Sequence, residues 1–246
     1  ELVPKHPVAL VGRFELAVQG EELELAGQLF ERIEAKDLLS NRIDRATARY
    51  HVLRSVGGDA VKKVRRAIIR RGKEDPVLWL ALGRLQLQAE QHGGAAQAFS
   101  RTLSYEEDNL EALVWRTITQ VWQRRSAPAE NTYDDARELA RETEVEPRVE
   151  ALLIVAEGWL RFADDLWGAA SRQARRAIEV DPKCAEAHYL RARVAIERDR
   201  DPVDHLRAAL KGRAPPPQAK ALLVIHSEGT SEELCRLARE YNDAVT

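Results

Sequence analysis

The chain has 246 residues, of which 44% are hydrophobic and 32% are Asp, Glu, Lys or Arg, and its formal net charge is -2. No apolar run approaches the roughly 20 residues of a membrane-spanning helix, and the N-terminal residues do not form a charged-then-apolar secretion signal. Two cysteines far apart in sequence, Cys184 and Cys235, favour free thiols in a reducing compartment. We therefore expect a cytoplasmic protein; the alternative is an exported bacterial protein whose signal or lipid anchor is not part of this sequence.

The composition favours helices along the whole chain. Ala, Leu, Glu and Arg are abundant, and no stretch alternates polar and apolar residues for long. Such residues have high helix propensity, whereas strands would need runs of Val, Ile and Thr that the chain lacks. We therefore expect an all-α protein.

The chain opens with two predicted helical hairpins. Residues 1–41 form the first hairpin, which turns near Gln19-Gly20. Residues 42–75 form the second, and its turn is expected at Gly57-Gly58 because glycine readily takes the left-handed conformation that helix ends require.

Two further hairpins follow. In residues 76–109 the turn is expected at Gly93-Gly94, for the same reason. Residues 110–147 begin with a helix over 110–123. Pro128 makes the stretch after it irregular, so that a long connection is expected and the second helix begins at about Asp134.

Three more predicted hairpins complete the chain. Residues 151–184 end in Asp181-Pro182, because proline cannot continue the helix that precedes it. Residues 185–213 form a shorter pair. Residues 214–246 contain three consecutive prolines at 215–217 and form a closing hairpin that is expected to turn near Ser227-Glu228-Gly229.

Small, aromatic and proline residues recur at matching positions of these units, which are about 34 residues long. They stand where two helices must approach closely or where a helix must end. In residue type and spacing they resemble the tetratricopeptide repeat family. The residues that carry the resemblance are Trp79, Leu82, Gly83, Ala95 and Phe99 in one unit, and Gly158, Ala170, Ala174, Ala177 and Pro182 in another.

The resemblance implies an α-solenoid of about seven antiparallel hairpins wound into a right-handed superhelix. Units of this kind stack because none of them can bury its apolar face alone. We therefore expect a single domain over residues 1–246, in which an N-terminal hairpin (1–41) and a C-terminal capping hairpin (214–246) enclose the repeats of 42–213.

The resemblance also implies a function, because proteins of this family hold a segment of another protein in a groove lined by the first helix of each unit. Carried over position by position, the groove of this chain is mostly apolar. We therefore expect a scaffold or adaptor that binds a peptide or an amphipathic helix of a partner protein and needs no cofactor. The expected groove residues are Leu80, Arg84, Leu87, Ile118, Trp122, Trp159, Phe162, Tyr189 and Arg193.

Two alternatives for the groove stay open at this point. Its apolar residues can serve as a ligand site, or they can be covered by the chain's own terminal hairpin, since the prolines at 215–217 form a joint before it. An end repeat without a stacked neighbour could also pair with a second copy of the chain and form a homo-oligomer.

The alternative function is nucleic-acid or phosphate binding through the basic stretch 42–73. That stretch holds eleven basic residues against Asp44 and Asp59. Nucleic acid is the weaker hypothesis, because aromatic side chains that could stack on bases are not interleaved with these cations. The candidate basic patch comprises Lys62, Lys63, Arg65, Arg66 and Arg70.

The sequence contains no motif typical of a catalytic or metal site. Gly-x-Ser-x-Gly, His-Glu-x-x-His and the phosphate-binding Walker loop are all missing. Cys184 and His188 are spaced like metal ligands, but two ligands do not make a zinc site that requires four. We therefore expect neither an enzyme nor a metal-binding protein.

Overall fold

A computed structural model describes residues 6–36, 38–54, 58–71, 74–227 and 231–245. Within these residues the chain forms fourteen helices and no β-strand, so the prediction of an all-α protein with seven helical hairpins is confirmed. The helices are α1 (Pro7–Gln19), α2 (Leu23–Ala35), α3 (Asn41–Leu53), α4 (Gly58–Arg70), α5 (Pro76–Gln88), α6 (His92–Tyr105), α7 (Leu110–Trp122), α8 (Ser126–Glu142), α9 (Pro147–Ala163), α10 (Trp167–Val180), α11 (Ala185–Glu197), α12 (Val203–Lys211), α13 (Gln218–His226) and α14 (Ser231–Val245).

Several helices begin where the sequence supplies a capping residue. The side chain of Ser40 accepts a hydrogen bond from the backbone N–H of Ile43 (3.2 Å), and that of Asn109 accepts one from Ala112 (2.9 Å). Asp75 caps α5 in the same way. Proline stands in the first turn of α1, α5 and α9, where a backbone N–H would have no helical partner. These local signals place the starts of the inner helices.

The α5–α6 turn does not use its predicted glycine pair, and the α3–α4 turn lies largely outside the described residues. Gly93 and Gly94 lie within α6 and Gly58 is the first residue of α4, while Gly57 lies outside the described residues. Where the structure describes it, the residue two positions beyond an odd-numbered helix takes the left-handed conformation instead. Hydrogen bonds hold it there; in the α5–α6 turn they run from the N–H of Glu90 to the carbonyl of Leu87 and from the N–H of Gln91 to the carbonyl of Gln86. These left-handed residues are Glu21, Glu90, Arg124, Asp165 and Asp199. In the closing hairpin, Glu228 and Gly229 of the predicted turn lie outside the described residues.

The fourth hairpin also differs from its prediction. Its second helix, α8, begins at Ser126 and not near Asp134. Pro128 is the third residue of this helix, where its missing N–H has no helical acceptor in any case. The proline therefore starts the helix rather than delaying it, and the connection between α7 and α8 is as short as in the other hairpins.

The helices form two layers. The odd-numbered helices from α1 to α11 contact one another in chain order and make the inner layer, and the even-numbered helices pack against its outside. The core lies between the layers and includes Phe14, Phe99 and Leu190, which are fully buried. Each hairpin thus buries its apolar face against its neighbours.

Close packing between the helices of a hairpin depends on glycine at one point. A Cβ added at Gly83 of α5 would lie 2.5 Å from the ring of Phe99, which belongs to α6. Because Phe99 is fully buried, its ring has no room to move aside. The close approach that the sequence predicts at Gly83 is therefore present.

We expect Gly83→Ala to lower the free energy of unfolding by about 2 kcal/mol, since it overpacks a filled core. Gly12→Ala provides the matched control, because no atom lies within 4 Å of a Cβ at Gly12 inside α1. That change should raise stability by about 0.5 kcal/mol through helix propensity. Urea unfolding followed by circular dichroism measures both, and effects of the same sign would contradict this account.

The end of the chain crosses from the outer layer to the inner one after α12. Gly212 presses on the start of α11, where a Cβ would lie 2.8 Å from the Cα of Ala185. Ala214 has a φ of 48° and redirects the backbone. Its side chain is then buried in a cluster with residues of α3 and α5, such as Val52 and Leu78. Residues 213–218 therefore cover part of the predicted groove.

Candidate functional site

One part of the inner surface remains open, and we call it the aromatic cleft. It encloses about 660 Å³, a volume typical of pockets that accept large side chains or small ligands. Its walls come from three successive inner helices, α7, α9 and α11. Five of the predicted groove residues converge here: Trp122, Trp159, Phe162, Tyr189 and Arg193.

The rings of the aromatic cleft pack on one another at steep angles. The ring centroids of Trp122 and Trp159 are 5.6 Å apart with an interplanar angle of 86°, and those of Trp159 and Phe162 are 5.4 Å apart at 75°. Tyr189 lies 5.9 Å from Trp159 on the other side. Edge-to-face contacts of this kind fix ring orientation, so the walls of the cleft are rigid before any ligand arrives.

Charged side chains surround the aromatic cleft. The left-handed turn residues Glu90, Arg124 and Asp165 all line it. The guanidinium of Arg193 lies 5.5 Å from the centroid of the Phe162 ring and pairs with Glu197 at 3.7 Å. The cleft therefore has apolar walls and a rim on which positive and negative charges balance.

The second part of the inner surface, which we call the covered half, lies under residues 213–218. Its floor is formed by α5, α7 and α11 through Arg84, Leu87, Trp115 and Glu186. A cavity of about 20 Å³ separates this floor from the chain above it, which is little more than the space of one water molecule. The self-packing alternative therefore applies mainly to this half. At the aromatic cleft the terminal hairpin reaches only the edge, where Gln218 lines the cleft and the Tyr241 hydroxyl donates a hydrogen bond to Glu90 (2.8 Å).

A buried ion network joins three inner helices beneath the covered half. The Oε1 atom of Glu111 accepts hydrogen bonds from Arg148 (2.8 Å), Arg84 (3.3 Å) and the indole N–H of Trp115 (3.3 Å). Burial acts to raise the pKa of Glu111, but the two arginines and the indole outweigh it, and the pKa lies below its ordinary value. Burial lowers the pKa of Arg84 to about 10, and Glu111 opposes this shift. Arg84 is thus part of the fold and does not face an open groove.

Glu186 is the unusual member of the covered half. It is 7% exposed, and its Oε2 atom has no hydrogen-bond partner among the described residues. Burial raises its pKa to about 7, although Arg84 acts in the opposite direction. A carboxyl group in this position is neutral in an appreciable fraction of molecules at neutral pH.

The remaining predicted groove residues belong to the core rather than to a surface. Ile118 is fully buried and Leu87 is 5% exposed, while Leu80 packs at the edge of the same cluster. Trp159 is itself 2% exposed, so it supports the aromatic cleft from below more than it offers a contact area. Position within a repeat unit therefore identifies the inner face but not which of its residues a ligand could reach.

The predicted basic patch is largely neutralised by neighbouring carboxylates. Lys62 pairs with Asp59 (3.1 Å) and Lys63 with Glu34 (2.8 Å). Arg70 and Arg71 both pair with Asp44, Arg42 pairs with Glu15, and Arg45 pairs with Asp75. With the Gln86 amide turned so that its oxygen faces Arg65, that oxygen accepts a hydrogen bond from the guanidinium at 2.9 Å, and Arg66 is exposed. These pairs give the stretch 42–73 a structural explanation, and nucleic-acid binding is not favoured.

The described part of the chain contains neither a metal-ligand cluster nor a helix that could span a membrane. No group of three or more His, Cys, Asp or Glu side chains there could hold a metal ion. None of the described helices combines the length and the apolar character that a membrane crossing requires. Cys184 is buried, which raises the pKa of its thiol to about 12, and Cys235 is exposed.

Sequence reasoning did not anticipate two features of the site. Glu111 and Arg148 form the centre of the buried ion network, yet neither stands out in a chain rich in charged residues. Arg213 pairs with Glu21 and with Asp181, so the end of the chain is joined to the first hairpin. The prolines at 215–217 predicted a joint before the last hairpin, but they gave no sign that Arg213 would contact the first hairpin.

Comparison with known proteins bears on the fold. No protein-family model matches the chain, and no curated protein matches it in sequence. The chain superposes with a TM-score of 0.65 and 16% identity on a structure of the APC/C hetero-tetramer Cut9-Hcn1, over 89% of this chain and 43% of that one. It thus spans less than half the length of that neighbour. It also superposes on a tetratricopeptide repeat protein from Parabacteroides merdae ATCC 43184 with a TM-score of 0.50 and 13% identity, over 95% of this chain and 84% of that one.

Proposed function

We propose that this chain, which folds as a tetratricopeptide repeat solenoid, is an interaction scaffold that holds a segment of another protein in the aromatic cleft. The observation that supports the proposal is the convergence of Trp122, Phe162, Tyr189 and Arg193 from three consecutive inner helices on one concave opening. Tryptophan, tyrosine and arginine are the residues that most often dominate the binding energy of protein interfaces.

The chemistry of the aromatic cleft defines the segment that fits it. Its rigid ring walls suit one aromatic or branched aliphatic side chain as an anchor. The rim offers both Arg193 and Asp165, so polar groups on either side of the anchor can be paired whatever their sign. A short peptide or one turn of an amphipathic helix provides this combination.

Crosslinking in the native cell tests the proposal directly. A photoreactive amino acid at Ala163, which is exposed and lines the aromatic cleft, should capture a partner protein. The same group at Ser100, exposed on the outer helix α6, is the control and should not capture that partner. Equal capture from both positions would show that the aromatic cleft does not select it.

We expect Trp122→Ala to weaken binding of the captured partner by about 30-fold, the effect of losing one dominant interface side chain. Trp167→Ala is a matched control, because Trp167 is also partly buried but lies on α10, outside the aromatic cleft. Trp159→Ala is unsuitable, since removing a fully buried indole costs about 3 kcal/mol or more of stability. Titration of the purified variants measures the effect, and equal affinities for the two would contradict the proposal.

A further inference from the structure

The segment between α12 and α13 occupies the covered half in the way a bound peptide would. Residues 213–217 read Arg-Ala-Pro-Pro-Pro and lie across the inner helices as an irregular segment. The helix α12 ends at Lys211 before this segment, and α13 begins at Gln218 directly after it. The contacts of this segment therefore show what chemistry the covered half accepts.

The arginine of the segment enters an acidic site made by two distant parts of the chain. The guanidinium of Arg213 pairs with Glu21, from the α1–α2 turn, and with Asp181 at 2.8 Å, from the end of α10. The side chain of Asp181 is 12% exposed, so this pairing is shielded from water. The backbone N–H of Arg213 also donates to the carbonyl of Lys183 at 2.8 Å. Two carboxylates thus bind the guanidinium, and one carbonyl fixes the backbone of the same residue.

The residues after the arginine bind through apolar packing. Ala214 is 7% exposed and belongs to an apolar cluster with residues of α3 and α5, so its side chain is small and apolar where it is buried. Pro216 and Pro217 are buried, and they line the same small cavity as the indoles of Trp115 and Trp122. Proline packing against aromatic side chains is a recurring mode of peptide recognition, because the stiff ring loses little entropy on binding.

The packing between this segment and the covered half leaves one buried polar atom unsatisfied. Beneath it lies the unpartnered Oε2 of Glu186, a polar atom that the docked segment shields from water without giving it a hydrogen bond. The hairpin that follows is anchored through Ala219 and Leu223 of α13, whereas α14 buries Leu237 among the side chains that the structure describes. A buried polar atom without a hydrogen-bond partner costs free energy, so a partner segment that satisfied it would bind better than the chain's own.

We propose that the covered half is a second binding site, specific for a partner segment of the form arginine, small residue, proline, proline, and that residues 213–217 occupy it in competition with that partner. The site adjoins the aromatic cleft, with which it shares Trp122 and Gln218, but the carboxylates that bind its arginine, Glu21 and Asp181, are not part of that cleft. The occupied state shields the site until a partner segment of the same chemistry displaces the chain's own.

A labelled synthetic peptide of residues 211–219 is the probe. The receptor is the full chain with Ala214→Glu, which places a carboxylate in the apolar cluster and releases the segment. We expect this receptor to bind the peptide at least 10-fold more tightly than the parent chain, in which the attached segment competes. Lys211→Glu, an exposed position three residues away, is the matched control and should bind like the parent.

Further variants separate the outcomes. A peptide with Arg213→Ala, or a receptor that also carries Glu21→Lys, should bind at least 10-fold less well, whereas Phe162→Ala in the aromatic cleft should leave peptide binding unchanged. Gly212→Ala offers a second route to release, through its contact with Ala185. Equal peptide affinity of parent and released receptors overturns the proposal. So does unchanged hydrogen exchange of residues 213–226 in both release variants, or loss of the fold in both.

Discussion

Replacing Glu111 with glutamine should lower the free energy of unfolding by about 3 kcal/mol. Glu111 receives hydrogen bonds from Arg84 of α5 and Arg148 of α9, so one carboxylate balances two cations from neighbouring units. The side chain of Arg84 is 13% exposed and cannot recover its lost partner from water. Removing one member of a buried pair is costly because the other charge remains in place without compensation.

Two further variants test this explanation by urea unfolding. Glu150→Gln alters an exposed carboxylate in the first turn of α9 and should change stability by no more than about 0.5 kcal/mol. Adding Arg84→Met to Glu111→Gln should recover part of the loss, because one uncompensated cation is then gone. A loss below about 1 kcal/mol for Glu111→Gln, or strictly additive effects in the double variant, would argue against a buried charge network.

Much of the fold could be predicted because its determinants are local and periodic. Gly83 and Phe99 recur at fixed places in a unit, and the structure puts them in contact across one hairpin. Helix starts at Asp75 and Asn109 follow from their capping side chains. The division into one domain with two terminal hairpins stays a prediction.

The turns and the covered half could not be predicted, because neither depends on a local pattern. Glu90 takes the left-handed conformation because its own N–H and that of Gln91 bond carbonyls of α5, and not because glutamate prefers that conformation. The position of Arg213 depends on Glu21, which lies 192 residues away in the chain. Position within the repeat unit nevertheless predicted that Trp122, Phe162 and Tyr189 lie on one surface. That position sets which side of a helix a residue occupies, and it is independent of the path of residues 213–218.

Two buried groups, Glu186 and His51, should make the free energy of unfolding depend on pH in opposite directions. Burial raises the pKa of Glu186 to about 7 from its ordinary 4.5, against the influence of Arg84. A raised carboxyl pKa stabilises the fold fully below about pH 4.5, and this contribution is lost as the pH rises through about 7. A difference of this size is worth about 3 kcal/mol.

His51 acts in the reverse direction. Burial, together with Lys63 and Arg54, lowers the pKa of its imidazole to about 4 from 6.5, although Glu34 opposes this. Its contribution to stability is therefore complete above about pH 6.5 and is lost as the pH falls through about 4. Between about pH 4.5 and pH 6.5 the contributions of the two groups to the free energy of unfolding change in opposite directions and nearly cancel. The stability of the parent chain therefore shows little sign of either group.

Single substitutions should reveal each group. Glu186→Gln should match the parent near pH 4.5 and become more stable than it by about 3 kcal/mol at pH 8, because the glutamine cannot ionise. His51→Phe should gain stability relative to the parent as the pH falls from 7 to 4, since the cost of protonating a buried imidazole disappears. Urea unfolding at each pH gives these differences, in which the titration of all other carboxylates cancels. If the Glu186→Gln advantage were the same at pH 4.5 and pH 8, the pKa of Glu186 in the folded chain would not be raised. Glu186 would then be charged beneath residues 213–218, and Arg84 would offset the cost of burying that charge.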